Sequence, residues 1–245
     1  MSRVNFKINL RKDWQTNAEQ LLHEINVGGV NKRKLMEYFQ PPLKKVNSII
    51  ELRTFTEKYY QENKRQINAS KKRISKAWQK IELKYISEIE AILKHNFKSN
   101  YKGYLSIFPN NQLFLEKNSF QIFYKLPFEQ TNRIIAHELI HFIHFDYCQQ
   151  YFEKTKWANF SVNTPGWHLS EMVVTLILNE PNVKKMFKLP IRGYPSHYRI
   201  LPVFQKIYQN TGSFNEFMKE AIKHESLLNI PTKDLTENYF KTINL

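Results

Sequence analysis

His137-Glu138-Leu139-Ile140-His141 is the stretch of this 245-residue chain that predicts a definite helix with a definite chemistry. Residues four apart on an α-helix lie on the same face, so the two imidazole rings can reach one metal ion. Glu138 lies about 100° further round the helix, where it can contact a water but cannot be a third close ligand. This arrangement is typical of zinc hydrolases, in which one helix supplies two ligands and a general base.

The residues around this motif predict a buried helix. Residues 128–150 contain no Gly or Pro, and apolar residues flank both histidines, as expected for a helix of about 20 residues. Imidazole and carboxylate groups in an apolar helix are costly to bury unless something satisfies them, and a metal ion would do so. The alternative is a helix whose polar side simply faces solvent.

A third ligand has to come from elsewhere in the chain, because catalytic zinc usually has three protein ligands and one water. Glu171 is the strongest candidate. Thr164-Pro165 predicts an N-cap followed by proline at the first helical position, and Pro181 closes the helix. Residues 172–178 are almost entirely apolar, so Glu171 is predicted to be buried and to need a cation. The alternative is a surface glutamate near a helix start, where the helix dipole favours it.

Other residues compete for the metal. His168, three residues before Glu171, can share its helix face and is the chief competitor. Glu180 has no apolar run after it and ranks lower. His144 lies about 10.5 Å along the helix axis from His137, so one ion cannot bind both tightly. His144 is therefore expected to line the site or to be a half-buried histidine.

The motif His137-Glu138-x-x-His141 followed by a helical Glu171 resembles the gluzincin clan of zinc metallopeptidases over about residues 103–200. The resemblance implies that the two histidines and Glu171 bind zinc. It also implies that Glu138 activates water for hydrolysis of a peptide bond. Clan members often carry an aspartate four residues after the glutamate ligand, and this chain has Thr175 there. A hydroxyl cannot raise the basicity of a ligand as a carboxylate does. Either another group takes this role, or the metal affinity and the activity are modest.

In the implied reaction, zinc lowers the pKa of its water towards ~7. Glu138 takes the proton and later delivers it to the leaving amine. The oxyanion of the intermediate needs a further donor besides zinc. Tyr194, His197 and Tyr198 are the candidate donors, because this donor-rich stretch follows the Glu171 helix. The alternative is a surface turn whose rings only pack.

Short aromatic and β-branched runs precede the metal motif. Residues 103–109, 112–115 and 119–124 are separated by Pro109-Asn-Asn111 and Lys117-Asn118, which predicts strands and turns. A small antiparallel sheet is therefore expected before the HExxH helix. Its edge could bind an extended peptide, or the sheet could only pack on the helix.

Most of the remaining chain carries apolar residues at helical spacing. The predicted fold class is α+β, mostly α. The predicted domains are a basic helical N-terminal region, residues 1–98, and a zincin-like metallopeptidase domain with C-terminal helices, residues 99–245. The predicted helices span residues 13–25, 32–39, 44–97 with a break near Asn68-Ala-Ser70, 202–209, 213–224 with a capping box from Ser213 to Glu216, and 233–241.

Composition indicates the compartment. The N-terminus lacks the 7–15-residue apolar run of a signal peptide, and no stretch of 18 apolar residues predicts a membrane span. The single cysteine, Cys148, excludes an internal disulfide framework and is interpreted as a packing residue. A cytoplasmic protein without a membrane partner is expected.

Charge suggests a second class of partner. The net charge is +15, and the first 100 residues hold 21 Lys and Arg against 10 Asp and Glu. Basic runs at residues 32–34, 44–45 and 71–73 could dock on nucleic-acid phosphates. Solvated helix faces and a Lys- and Asn-rich composition explain such runs as well.

Three functions therefore stay open. The first is an intracellular zinc metallopeptidase acting on peptides or proteins. The second is a nucleic-acid-associated protein, or a protease of DNA-bound proteins similar to the Spartan type, which uses a third histidine. The third is a non-catalytic zincin-like scaffold, against which the intact Glu138 argues. The identity of the third ligand discriminates between the first two.

Overall fold

A computed structural model of the chain describes residues 3–13, 15, 48–98, 100–109, 111–152, 155–161, 164–187 and 193–230. The chain divides into two compact units that alternate along the sequence. The first comprises residues 1–80 and 99–135, and the second comprises residues 81–98 and 136–245. The predicted domains, residues 1–98 and 99–245, stay a prediction.

A four-stranded sheet belongs to the first unit and is the sheet found among the described residues. Its strands are β1 (Val4–Ile8), β2 (Tyr101–Ser106), β3 (Leu113–Phe114) and β4 (Ser119–Phe123), in the order β1-β2-β4-β3. Helices account for most of the other described residues. The predicted α+β fold, mostly α, is confirmed.

The sheet is mixed, so the expectation of an antiparallel sheet was wrong. β1 and β4 both run parallel to β2, and only β3 runs antiparallel to its neighbour, β4. The chain reverses after β2 and reverses again between β3 and β4, through a 3-10 turn at Leu115–Lys117 and the left-handed residue Asn118. Two reversals restore the original direction. An alternating sequence pattern carries no information about strand direction, and the proposed peptide-binding edge stays a prediction.

β1 corrects the prediction that residues 1–98 are wholly helical. Val4 and Phe6 are buried, whereas Asn5 and Lys7, the residues that follow each of them, are exposed, which is the two-residue period of a strand. Gly103 of β2 pairs with Phe6, and a Cβ at Gly103 would lie 2.6 Å from the Phe6 ring. Glycine is thus needed for the close approach of the ring. A strand of five residues is too short to stand out against a longer helical pattern.

Two further helices of the first unit are α1 (Ile49–Glu62) and α2 (Lys64–Gln79), separated at Asn63. The break predicted near residues 68–70 is wrong, because α2 runs through it. Ile67, Ile74 and Trp78 are buried on one side of α2, and this packing overrides the weak local propensity of Asn and Ser. Of the predicted helices at residues 13–25 and 32–39, only Asp13 and Gln15 lie within the described residues.

The second unit is helical in its described residues. The helix Phe128–Phe152 carries the metal motif, and the boundary between the two units falls within it, after Ile135. The predicted helices around residues 128–150 and 164–180 are confirmed, and the predicted helix at residues 233–241 lies outside the described residues. The helices are α3 (Glu82–Leu93), α4 (Phe128–Phe152), α5 (Pro165–Leu178), α6 (Pro181–Lys184), α7 (Leu201–Asn210) and α8 (Phe214–Ala221).

The start of α8 confirms half of the predicted capping box. The Glu216 backbone N–H donates to Ser213 Oγ at 3.2 Å. The Glu216 carboxylate accepts from the Gly212 N–H at 2.9 Å instead of from Ser213. α8 ends at Ala221 and the chain continues as a 3-10 helix, Ile222–Leu228. No helix within the described residues combines the length and the apolar character that crossing a membrane requires.

Candidate metal centre

Helix α5 begins as the sequence predicts and is buried on nearly every side. Thr164 is its N-cap, where Thr164 Oγ1 accepts from the Trp167 backbone N–H at 3.2 Å, and Pro165 takes the first helical position. Every residue of α5 from His168 to Leu178 is buried. α5 packs against α6, α7 and the 3-10 helices at Lys156–Ala158 and Ile222–Leu228. Glu171 is thereby held in the interior of the second unit.

Three side chains from α4 and α5 converge in the second unit. His137 Nε2 lies 3.0 Å from His141 Nε2. Glu171 Oε2 lies 3.4 Å from His137 Nε2, and Glu171 Oε1 lies 3.4 Å from His141 Nε2. His141 and Glu171 are buried, whereas 29% of the His137 side chain is exposed. Among the described residues, these three form the group that could bind a metal ion.

The spacing of these atoms tests whether a cation fits. Ligand atoms at ~2.0–2.1 Å from a tetrahedral zinc ion are about 3.3 Å from one another. The two imidazole nitrogens are 3.0 Å apart, and each lies 3.4 Å from a different oxygen of the Glu171 carboxylate, which is close to that value. Nitrogen and oxygen lone pairs that converge in this way repel one another unless a proton or a cation lies between them. The donor set therefore fits a divalent ion.

The electrostatics of the triad favour the form that binds a cation. Burial alone would raise the pKa of Glu171, but the charges of His141 and His137 and a hydrogen bond with His141 bring it below its ordinary value. Burial alone would lower the pKa of His141. The charge and hydrogen bond of Glu171, and the charge of Glu138, raise it instead. Glu171 is thus kept as a carboxylate in spite of its burial.

Glu138 lies beside the triad and differs from Glu171 in its protonation. Burial raises the pKa of the Glu138 carboxyl to about 8; the charge of His141 opposes this shift and that of Glu171 adds to it. The surroundings therefore raise the pKa of one carboxyl group of this site and lower the pKa of the other. Such a separation is typical of sites where one carboxylate binds and the other exchanges a proton.

The ring of His141 is held by packing. Among the described residues, no hydrogen-bond partner meets His141 Nδ1, although metal-binding histidines usually donate that N–H to an acceptor. The Phe145 ring stacks on His141 with centroids 6.1 Å apart. Thr175 Oγ1 donates to the carbonyl of Glu171 at 2.9 Å, within its own helix. Thr175 therefore orients the backbone that carries Glu171.

His168 and His197 form a separate, buried pair. His168 Nδ1 lies 2.9 Å from His197 Nε2. Burial lowers the pKa of each ring to about 4, against the opposing charge of Glu171, so the pair is neutral. His168, the chief competitor for the third ligand position, is not part of the metal-binding group. The sequence does not predict this pair, because residues 29 positions apart leave no local signal of their contact.

The stretch around Tyr194 lies against α5. A Cβ at Gly193 would come within 2.9 Å of Thr175 Oγ1, so the backbone approaches the helix that carries Glu171. Trp167 on α5 has ring contacts with both Tyr194, at 5.6 Å, and His197, at 6.1 Å. These side chains form one aromatic cluster with His168. Tyr198 is exposed, and the catalytic roles of Tyr194, His197 and Tyr198 stay predictions.

The other two candidates lie outside the metal-binding group. His144 is fully buried, with Nε2 3.5 Å from Cys148 Sγ. Burial, and next the charge of His141, lower the pKa of His144 to about 3. Cys148 is a buried free cysteine, as expected of a packing residue. Glu180 is the N-cap of α6, one residue beyond the α5 C-cap.

Comparison of the chain with protein-family models, with curated proteins and with solved structures finds no match. The resemblance to the gluzincin clan is therefore carried by the HExxH motif and by the position of Glu171. What the structure contributes is a possible metal-binding triad of His137, His141 and Glu171.

Proposed function

We propose that this chain is a zinc-dependent metallopeptidase. The observation that carries the proposal is the convergence of His137, His141 and Glu171 at the spacing of tetrahedral ligands, with the Glu138 carboxyl buried beside them. A metal site that is only structural is usually closed by a fourth protein ligand. Here the described residues offer three, which leaves a position for substrate.

Zinc is the proposed ion because of the donor types. Two neutral imidazoles and one carboxylate suit zinc, whereas magnesium and calcium prefer oxygen ligands. When bound in such a site, zinc acts as a Lewis acid that polarises a carbonyl and activates water. The part of the His137 side chain that is exposed gives a substrate access to the site.

Glu138 is proposed as the general base and acid. A carboxyl whose pKa is raised by burial can hold a proton near neutral pH and release it again. Glu138 takes the proton from the attacking water and delivers it to the leaving amine as the peptide bond breaks. Tyr194, His197 and Tyr198 remain the candidate donors to the oxyanion. Tyr194 and His197 have the stronger claim, because both contact Trp167 of α5.

The experiment compares metal content with hydrolysis of a peptide library in the wild type and Glu138→Gln. We expect about one zinc per chain in both, and a loss of roughly 10²–10⁴-fold in hydrolysis for the variant. Glu116→Gln, which removes an exposed carboxylate from the first unit, is the matched control and should retain both. A wild type that binds no metal contradicts the proposal, as does a Glu138→Gln variant with full activity.

A further inference from the structure

Helix α2 carries a concentration of positive charge that its neighbours do not share. α2 contains six Lys and Arg and no Asp or Glu. α1, which precedes it, has two basic and three acidic residues, and α3, which follows, has one basic and three acidic. A general bias of the chain towards lysine would have raised the charge of all three. The basic residues of α2 are Lys64, Arg65, Lys71, Lys72, Arg73 and Lys76.

Three of these residues form a line on the exposed side of α2. At 100° per residue, Arg65, Lys72 and Lys76 lie within about 40° of one another, and they extend over about 16.5 Å of the helix axis. All three side chains are exposed. The large apolar residues of α2, Ile67, Ile74 and Trp78, are buried on the other side. Arg65, Lys72 and Lys76 are called the basic stripe below.

The charges of the basic stripe have no ionic partner among the described residues. On α1, by contrast, Arg53 pairs with Glu57 at 2.7 Å and Lys58 contacts Glu62 at 3.8 Å. Lys72 and Lys76 are four residues apart, an arrangement that destabilises a helix when the charges are alike. The stripe therefore costs α2 stability in the free protein. An anionic partner would remove this repulsion.

The chemistry of the exposed side distinguishes between anionic partners. The residues beside the stripe are small or polar, including Asn68, Ala69, Ser75 and Gln79. A helix that enters a lipid surface presents large apolar residues there, and those of α2 are buried. Single-stranded nucleic acids are usually held by stacking on exposed aromatic rings, whereas Trp78 is fully buried. A duplex backbone needs only cations and polar groups, and it presents about one phosphate per 1.7 Å of axis.

We propose that the basic stripe of α2 binds the phosphate backbone of double-stranded nucleic acid without reading its base sequence. The proposal is independent of the metallopeptidase assignment, since it uses none of the metal-site residues. Glu138→Gln is accordingly expected to bind a duplex as the wild type does.

The test is a fluorescence-anisotropy titration with a labelled DNA duplex of about 24 base pairs, repeated from about 50 to 200 mM salt. The stripe variant combines Arg65→Gln, Lys72→Gln and Lys76→Gln. The wild type should bind duplexes of unrelated sequence equally, with affinity that falls steeply with salt. The stripe variant should reduce the slope of log affinity against log salt by about 2.7. Its affinity at low salt should fall at least tenfold.

The matched control removes the same charge elsewhere. Lys184→Gln, Lys206→Gln and Lys219→Gln change three exposed lysines of the second unit and should leave most of the affinity and slope intact. Failure of the wild type to bind at low salt overturns the proposal, as does an equal loss in the control and the stripe variant. Circular dichroism shows whether each variant is folded. If the triple variant is unfolded, the single variant Lys72→Gln replaces it, and the slope of its log affinity against log salt should be reduced by about 0.9.

Two further probes separate the partner classes. An RNA duplex of the same length should bind through the same residues if the backbone alone is recognised. Vesicles of phosphatidylserine and phosphatidylcholine should bind weakly. Stripe-dependent binding to vesicles without binding to either duplex would overturn the nucleic-acid assignment.

Discussion

His141 Nε2 lies 3.4 Å from Glu171 Oε1, and this contact joins two helices whose residues are 30 positions apart in the chain. Each group is buried, and each shifts the pKa of the other towards its charged form. A buried carboxylate without a cation would be costly. The pair thus shows how α4 and α5 create a site that neither helix contains alone.

Glu171→Ala should lower zinc affinity by at least about 100-fold, because it removes a ligand. Mutation of a residue that only hydrogen-bonds to a metal ligand usually lowers metal affinity by about 10–100-fold, and the loss of the ligand itself should be at least as large. Metal content after dialysis against zinc of fixed free concentration measures the loss. His168→Ala and Glu180→Ala are the controls, and both should retain about one zinc per chain. Loss of zinc in His168→Ala with retention in Glu171→Ala would assign the third ligand to His168.

Removal of metal should lower thermal stability. A ligand at a free concentration of 100 Kd stabilises the folded state by about 2.7 kcal/mol, which is about 5–10 °C in Tm for a chain of this size. Thermal unfolding of the wild type with zinc and with excess chelator measures the difference. In His141→Ala the two curves should coincide. Equal Tm values for the wild type in both conditions would contradict zinc binding to the folded state.

Asp13 should make the first unit less stable as the pH rises. Burial raises the pKa of Asp13 from 3.8 to about 6, although hydrogen bonds from Ser106, the Ile107 N–H and Tyr60 oppose the shift. Because the folded-state pKa exceeds the unfolded value, the contribution to stability is complete below about pH 4. This contribution is lost as the pH rises through 6, which lowers the free energy of unfolding by about 3 kcal/mol in total.

The measurement for Asp13 is urea unfolding of the wild type and Asp13→Asn at several pH values between 4 and 7. The free energy of unfolding of the wild type relative to the variant should fall over this range, since Asn carries no ionisable group. A constant difference from pH 4 to pH 7 would show that Asp13 does not titrate there.

Gly193→Ala should destabilise the second unit by about 1–3 kcal/mol, because the added Cβ would lie 2.9 Å from Thr175 Oγ1. Thr175→Ala removes the obstructing hydroxyl, whose hydrogen bond stays within α5. The double variant should therefore recover most of the loss in a double-mutant cycle followed by urea unfolding. Additive losses in the double variant would mean that the two residues do not meet.

Several local features of the candidate site could be predicted from the sequence. The helix around His137 and His141, the N-cap at Thr164 and the burial of Glu171 are all confirmed. Each depends on short-range rules, such as the period of a helix or the cap of its first turn. The break expected near Asn68 was wrong for the complementary reason: packing of Ile67 and Trp78 overrides local propensity.

Other features depend on tertiary contacts and could not be predicted. Strand direction in the sheet follows from two chain reversals after β2, and an alternating pattern is the same when read in either direction. The hydrogen bond between His168 and His197 joins positions 29 apart. The close approach of Gly193 to Thr175 is likewise invisible in the sequence.

By itself, the sequence determined that two imidazoles and a carboxyl would occupy consecutive turns of one buried helix, because covalent spacing and helical geometry leave no other arrangement. Only the tertiary structure decided that Glu171, and not His168, would complete the group. Residues His168 and Glu171 share one helix and similar burial. Which of them reaches α4 depends on how the two helices pack, and that is set by contacts made along their whole length.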